Sequence, residues 1–114
     1  MIAADVDRQA QLLRGVLDMC LLALLSAEPA HGYELVRRME AAGFGSVGYG
    51  TIYPLLTRLR RLGLVVDESR PSPSGPPRKV YAVTEHGRAH LDAWQQQWTG
   101  FTTTVNDILT TARS

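Results

Sequence analysis

Between Gln9 and Ser26, apolar side chains recur at helical spacing. Leu13, Val16, Leu17, Cys20, Leu24 and Leu25 form one stripe, and Leu12 and Leu21 widen it beyond a single face. A helix that is apolar on more than one side is either central or shared with a partner. Glu28-Pro29 ends it, because the residue before a proline is driven out of helical backbone. A second helix is predicted from about His31 to Ala42, with Tyr33, Leu35, Val36 and Met39 inward and Arg37, Arg38 and Glu40 in water. Four glycines between Gly43 and Gly50 then mark a turn. The third helix, about Gly50 to Leu62, places Ile52, Leu55, Leu56, Leu59 and Leu62 on one face. Pro54 falls near its first turn, where a missing amide proton costs least, and Gly63 is placed as its C-terminal cap.

Leu64–Glu68 and Lys79–Val83 are short β-branched and aromatic runs, separated by a segment with four prolines and one glycine. They predict a two-stranded hairpin with a stiff polar tip. Thr84 caps a last helix, with Glu85 in its first turn. Along that helix Leu91, Trp94, Trp98, Phe101, Val105 and Ile108 alternate steps of three and four residues, a narrow heptad seam. Gly100 and Thr102 to Thr104 weaken its intrinsic helicity, so the seam needs packing.

This order gives a mainly α fold with a small two-stranded β wing: a winged helix-turn-helix over residues 9–83, then a C-terminal helix over residues 84–112 whose seam needs a surface to pack on. A chain of 114 residues fits one domain with a modest core. With 45% hydrophobic residues it is no disordered tail. Cys20, the single cysteine, excludes an intramolecular disulfide framework and a multi-cysteine zinc site, and it reads as core. Met1 to Gln11 carries acids and lacks the apolar core of a signal peptide. Leu12 to Ala27 is interrupted by Arg14 and Asp18 and is expected not to span a bilayer. The expectation is a soluble, cytoplasmic domain with no membrane partner.

The net charge of +1 hides an uneven distribution. Residues 1–50 sum to −2, residues 51–79 to +4 and residues 80–114 to −1. In a winged helix-turn-helix the third helix enters the major groove of double-stranded DNA, and the wing reaches the adjacent backbone. The free polar face of helix three offers Thr51, Thr57, Arg58 and Arg61, and the wing offers Arg70, Arg78 and Lys79 as phosphate donors. The alternative is a winged-helix protein-interaction module that binds no nucleic acid, its charges a solvated face.

Other motifs fall away on context. Gly43 to Gly48 spells G-x-G-x-x-G, but a helix precedes it where dinucleotide binding requires a strand. His86 and His90 stand at a chelating spacing without a third ligand, and read as an exposed pair. No catalytic constellation, metal site or cofactor is expected, and the chain is read as not an enzyme.

The chain resembles the PadR family of bacterial transcriptional regulators. The resemblance rests on Leu12-Leu13-Arg14-Gly15, His31-Gly32-Tyr33-Glu34-Leu35, Gly50-Thr51-Ile52-Tyr53-Pro54-Leu55-Leu56, Arg58-Leu59, Gly63-Leu64-Val65, Gly75-Pro76-Pro77-Arg78-Lys79-Val80-Tyr81 and Val83-Thr84-Glu85-His86-Gly87. It covers most of residues 12–90 and implies a homodimeric repressor of the short subfamily with one C-terminal helix, so that residues 84–112 are a dimerisation helix, with Leu91, Trp94, Trp98, Phe101, Val105 and Ile108 at the contact, packing with helix one of the partner. It places Tyr33, Thr51 and Tyr53 near DNA and makes Arg58, Arg78 and Lys79 phosphate contacts. The tyrosine rings are also candidates for core packing. Gly48 stands where the family commonly has a serine, removing a side-chain cap. Trp94 and Trp98 are either hydrophobic dimer glue or walls of a pore for a small aromatic or apolar effector; the resemblance aligns Trp98 with the ligand-stacking position of drug-sensing members.

Overall fold

The helices and the hairpin stand in the expected order in the computed structural model, which describes the backbone of residues 3–113 and the side chains of residues 8–113. The chain runs α1 (Ala3–Ala27), β1 (Ala30–His31), α2 (Gly32–Met39), a π-helical turn (Glu40–Phe44), α3 (Tyr49–Arg61), β2 (Val65–Ser72), β3 (Gly75–Val83) and α4 (Glu85–Thr111). The acid-bearing start that argued against a leader lies partly outside the described residues, at Met1 and Ile2.

Four features differ from the sequence reading. Helix one begins at Ala3 rather than Gln9, because its first turns need no apolar stripe to remain helical. Helix two ends at Met39 and relaxes into the π-turn, with Gly43 at φ 111°. The wing strands extend much further towards the tip than the β-branched runs indicated. The wing also gains a third strand: Ala30 and His31 pair antiparallel with Tyr81 and Val80, giving the order β1-β3-β2.

The core forms where the helices meet the base of the wing. Leu17, Leu21, Leu22 and Leu25 of α1 pack with Leu35 and Met39 of α2, Ile52, Leu56 and Leu59 of α3, and Leu64, Val65 and Tyr81 of the wing. Burying a leucine completely contributes roughly 1.5–3 kcal/mol, so this cluster carries the fold. Gly63 closes α3 with φ 77°, a left-handed conformation that glycine adopts without strain. Its N–H donates to the Arg60 carbonyl and the Leu64 N–H to the Leu59 carbonyl, satisfying the last orphan acceptors.

The base of α4 is locked to this core. The Thr84 hydroxyl accepts from the Gly87 N–H at 2.9 Å and donates to the Gly63 carbonyl at 2.7 Å. The Thr84 N–H donates to the Leu64 carbonyl. Gly87 is pressed against that carbonyl so closely that a Cβ there would overlap the oxygen. Arg88 reaches across to the Ser26 hydroxyl at 2.7 Å, tying α4 to the end of α1. Beyond this joint α4 extends outward, and the molecule measures 59 × 34 × 20 Å.

Arg8–Ala27 is long and apolar enough, by length and composition, to cross a membrane. Four of its leucines, Leu17, Leu21, Leu22 and Leu25, are instead buried in the core, as in the central helix of a packed domain.

Candidate nucleic-acid interface

Helix α3 starts on Gly48, whose extended backbone presents its carbonyl to the Thr51 and Ile52 N–H groups but supplies no side-chain cap. Pro54 is the sixth residue of α3, past the four N–H groups that lack a helical partner, so, unlike the low-cost position expected from sequence, it deprives the Gly50 carbonyl of its helical donor. Ile52, Leu56 and Leu59 point inward, fixing the opposite face outward. That face carries Thr51, Arg58 and Arg61 exposed and Thr57 half-buried.

At the start of α3, Tyr33, Tyr49 and Tyr53 form an aromatic ladder. Tyr33 and Tyr49 stack with centroids 4.6 Å apart, and Tyr53 tilts against Tyr49 at 5.5 Å. Tyr49 lies directly over the Cα of Gly32, where any Cβ would overlap its ring. Tyr33 is 63% and Tyr53 43% exposed, so neither is a core residue. Burial pushes the Tyr49 and Tyr81 phenols upward, and both remain protonated donors at neutral pH.

The ladder lines an open cleft of about 670 Å³ together with Ser72, Ser74, Pro76, Pro77 and Arg78 of the wing, and with His31 and Tyr81.

The cations of α3 and the wing are not equivalent. Among the described residues, Arg58, Arg61 and Arg78 have no carboxylate within ion-pair reach. Lys79 faces Asp67 at 3.6 Å, and Arg60 faces the same oxygen at 3.4 Å. Arg70 lies 3.7 Å from Glu68. Strand parity explains the split between neighbours: Asp67 pairs with Tyr81 and Ser69 with Lys79, so Lys79 shares a sheet face with Asp67. Arg78 lies on the other face, diagonal to His31, which pairs with Val80. Arg38 is structural: it donates to the Glu28 carbonyl at 2.8 Å and ties α2 to the end of α1.

Two residues of this surface carried no expectation from sequence, Tyr49 and His31. Tyr49, with Phe44 one of two aromatics in the glycine-rich run, opens α3, and His31 immediately precedes the first turn of α2; those positions were the available signals.

The predicted seam of α4 divides in two. Leu91 and Trp94 are half-buried against the core, whereas Trp98 (42% exposed), Phe101 (63%), Val105 (37%) and Ile108 (63%) have no such cover in the chain. Trp98 and Phe101 lie 6.5 Å apart and near parallel. On α1, Leu12 is likewise exposed. His86 and His90 meet edge to face at 4.3 Å, and among the described residues no group of three or more His, Cys, Asp or Glu is placed to hold a metal ion. Burial and Asp18 raise the Cys20 thiol, the opposite of what a nucleophile requires.

Comparison with known proteins covers the same ground. The model of the transcriptional regulator PadR-like family matches residues 21–93. Transcriptional regulator Rv3488 of Mycobacterium tuberculosis is 43% identical over 61 residues, 54% of this chain; the chain thus spans about half of that relative's length, 55%. A PadR-like transcriptional regulator from Bacillus cereus superposes with a TM-score of 0.77 at 40% identity, covering 87% of this chain and 96% of that one. A PadR family regulator from Eggerthella lenta gives a TM-score of 0.86 at 34% identity, covering 93% and 92%.

Proposed function

Because the chain belongs to the PadR-like family of transcriptional regulators, we propose that it binds an inverted-repeat operator as a homodimer and represses transcription. The observation that carries this reading is the cleft lined by the tyrosine ladder, the wing and the cations Arg37, Arg78 and Lys79, with Arg58 and Arg61 exposed further along α3. Helix α3 enters the major groove with Thr51, Thr57, Arg58 and Arg61 outward. Arg70, Arg78 and Lys79 of the wing meet adjacent phosphates, and the Tyr33 and Tyr53 hydroxyls face the backbone. Two such heads placed about one helical turn apart, ~34 Å, read the two half-sites.

Leu91, Trp94, Trp98, Phe101, Val105 and Ile108 make the contact between protomers, the outer four closing on the partner. Exposed large apolar side chains in a row are what such a contact leaves open in a single chain. A small aromatic or apolar effector seated against Trp98, with Trp94 behind it, releases the operator by favouring a head spacing that mismatches the DNA. The flat faces of Trp98 and Phe101 suit such a ligand.

The test is fluorescence anisotropy with duplex DNA at several salt concentrations. Affinity falls with salt, and replacing Arg78 and Lys79 together by alanine lowers the logarithmic slope by between about 0.9 and 1.8, one phosphate contact being ~0.9. Salt-independent or absent binding favours a protein-interaction module instead.

A further inference from the structure

We propose that His31 contacts DNA directly: its Nε2–H and the Arg78 guanidinium together form a seat for one backbone phosphate, a role that rests on the DNA-binding reading above. A neutral imidazole has one donor and one acceptor nitrogen. The His31 Nδ1 accepts from the Glu34 N–H at 3.2 Å, capping the first turn of α2. The ring proton therefore sits on Nε2.

That nitrogen lies 3.3 Å from Nη1 of Arg78, and a guanidinium carries donors alone. Two donors thus converge across a short gap with no acceptor between them. The carboxylates of the neighbourhood are engaged elsewhere: Glu34 with Arg37 and Arg38, Asp67 with Arg60 and Lys79, Glu68 with Arg70. The pair opens into the cleft that the proposed DNA path crosses. An anionic oxygen placed there accepts from both groups, and a phosphate is the anion that DNA supplies.

His31 acts as a neutral donor. Partial burial and the Arg78, Arg37 and Arg38 charges lower its pKa, with Glu34 opposing them. Protonating Nδ1 would also place two donors face to face at the cap of α2. The seat is thus one cation and one oriented neutral N–H, both on the same sheet face.

His31→Asn separates capping from phosphate contact, because asparagine is among the best N-cap residues and has no group reaching the Nε2 position. Using a fluorescent duplex selected from a randomised pool with the wild-type protein, His31→Asn is expected to bind about tenfold more weakly. Its melting temperature and salt slope should match wild type, since no cation is lost, whereas Arg78→Ala lowers the slope by about 0.9. Equal affinity of His31→Asn and wild type, with Arg78→Ala weakened, overturns the seat and leaves DNA binding standing. Absence of salt-dependent binding by the wild type overturns both.

A second measurement needs no variant. Imidazole 15N spectra of the wild type should show His31 protonated at Nε2 and bare at Nδ1, with the Nε2–H signal moving on addition of the duplex. A proton on Nδ1, or an Nε2–H signal indifferent to bound DNA, overturns the proposal.

Discussion

The winged head and the outer half of α4 solve the burial problem in opposite ways. In the head, leucines from α1, α2, α3 and the base of the wing converge on one another, and Leu21, Leu22, Leu35, Ile52 and Leu56 are fully buried. Along α4 beyond Trp94, the large apolar side chains Trp98, Phe101, Val105 and Ile108 are exposed and none joins the core. Its threonines fold their hydroxyls back onto carbonyls one turn earlier, as Thr99 does to Gln95 and Thr103 to Thr99. Those bonds satisfy the hydroxyls but bury nothing. The head is complete within one chain, whereas the outer helix has the composition of half an interface.

The largest way to break this contrast is at the joint. Gly87→Val drives a side chain into the Leu64 carbonyl and into Val83, and should cost about 3 kcal/mol or more, read by chemical denaturation. Both regions then fail together. Phe101→Asp tests the outer helix alone. It should convert a dimer to monomer by sedimentation and remove the concentration dependence of the wild-type melting temperature, leaving near-native helical content in the head. A wild type that sediments as a monomer would show the seam to be no dimer contact.

Smaller effects sharpen the picture within the head. The pKa of His31 is lowered on folding, so the neutral form is favoured. Its contribution is present above the unfolded value of about 6.5 and is lost as pH falls through the lower folded value. The wild-type melting temperature should therefore fall more steeply below about pH 6.5 than that of His31→Asn. Smallest of all, Gly48→Ser supplies the side-chain cap that α3 lacks and should stabilise by a few tenths of a kcal/mol in thermal unfolding.

Elements with a strong period or a capping residue were readable in the sequence. Helix α3, with its five apolar positions, early Pro54 and terminal Gly63, falls within a residue of its expected bounds. Thr84 caps α4 as expected. Strand β1 was not readable, because two residues have no period and Ala30–His31 is made a strand by its partner, β3. Nor was the length of the wing, whose prolines argue against strand. Pro71 is tolerated where the β2–β3 register shifts between Arg70 and Ser72. Tyr49 and His31 were missed at the site because their roles depend on contacts across the fold, one over Gly32 and the other beside Arg78. The division of the α4 seam was equally hidden: a heptad pattern locates apolar positions but does not tell which of them the chain's own core will cover.

The clamp at the base of α4 has a mechanical corollary. Thr84, Gly87 and Arg88 fix the first turns to the head, while a helix of this length reaches roughly 40 Å. Such a helix is a lever with its fulcrum at one end. A rotation of about 10° at the base sweeps the tip through roughly 7 Å, from the same rise per residue, and the converse holds when the tip is held. A tilt of the outer helix held near Trp98 and Phe101 would thus reach the clamped head as a displacement of several ångströms, with no unfolding and no hinge needed between the two.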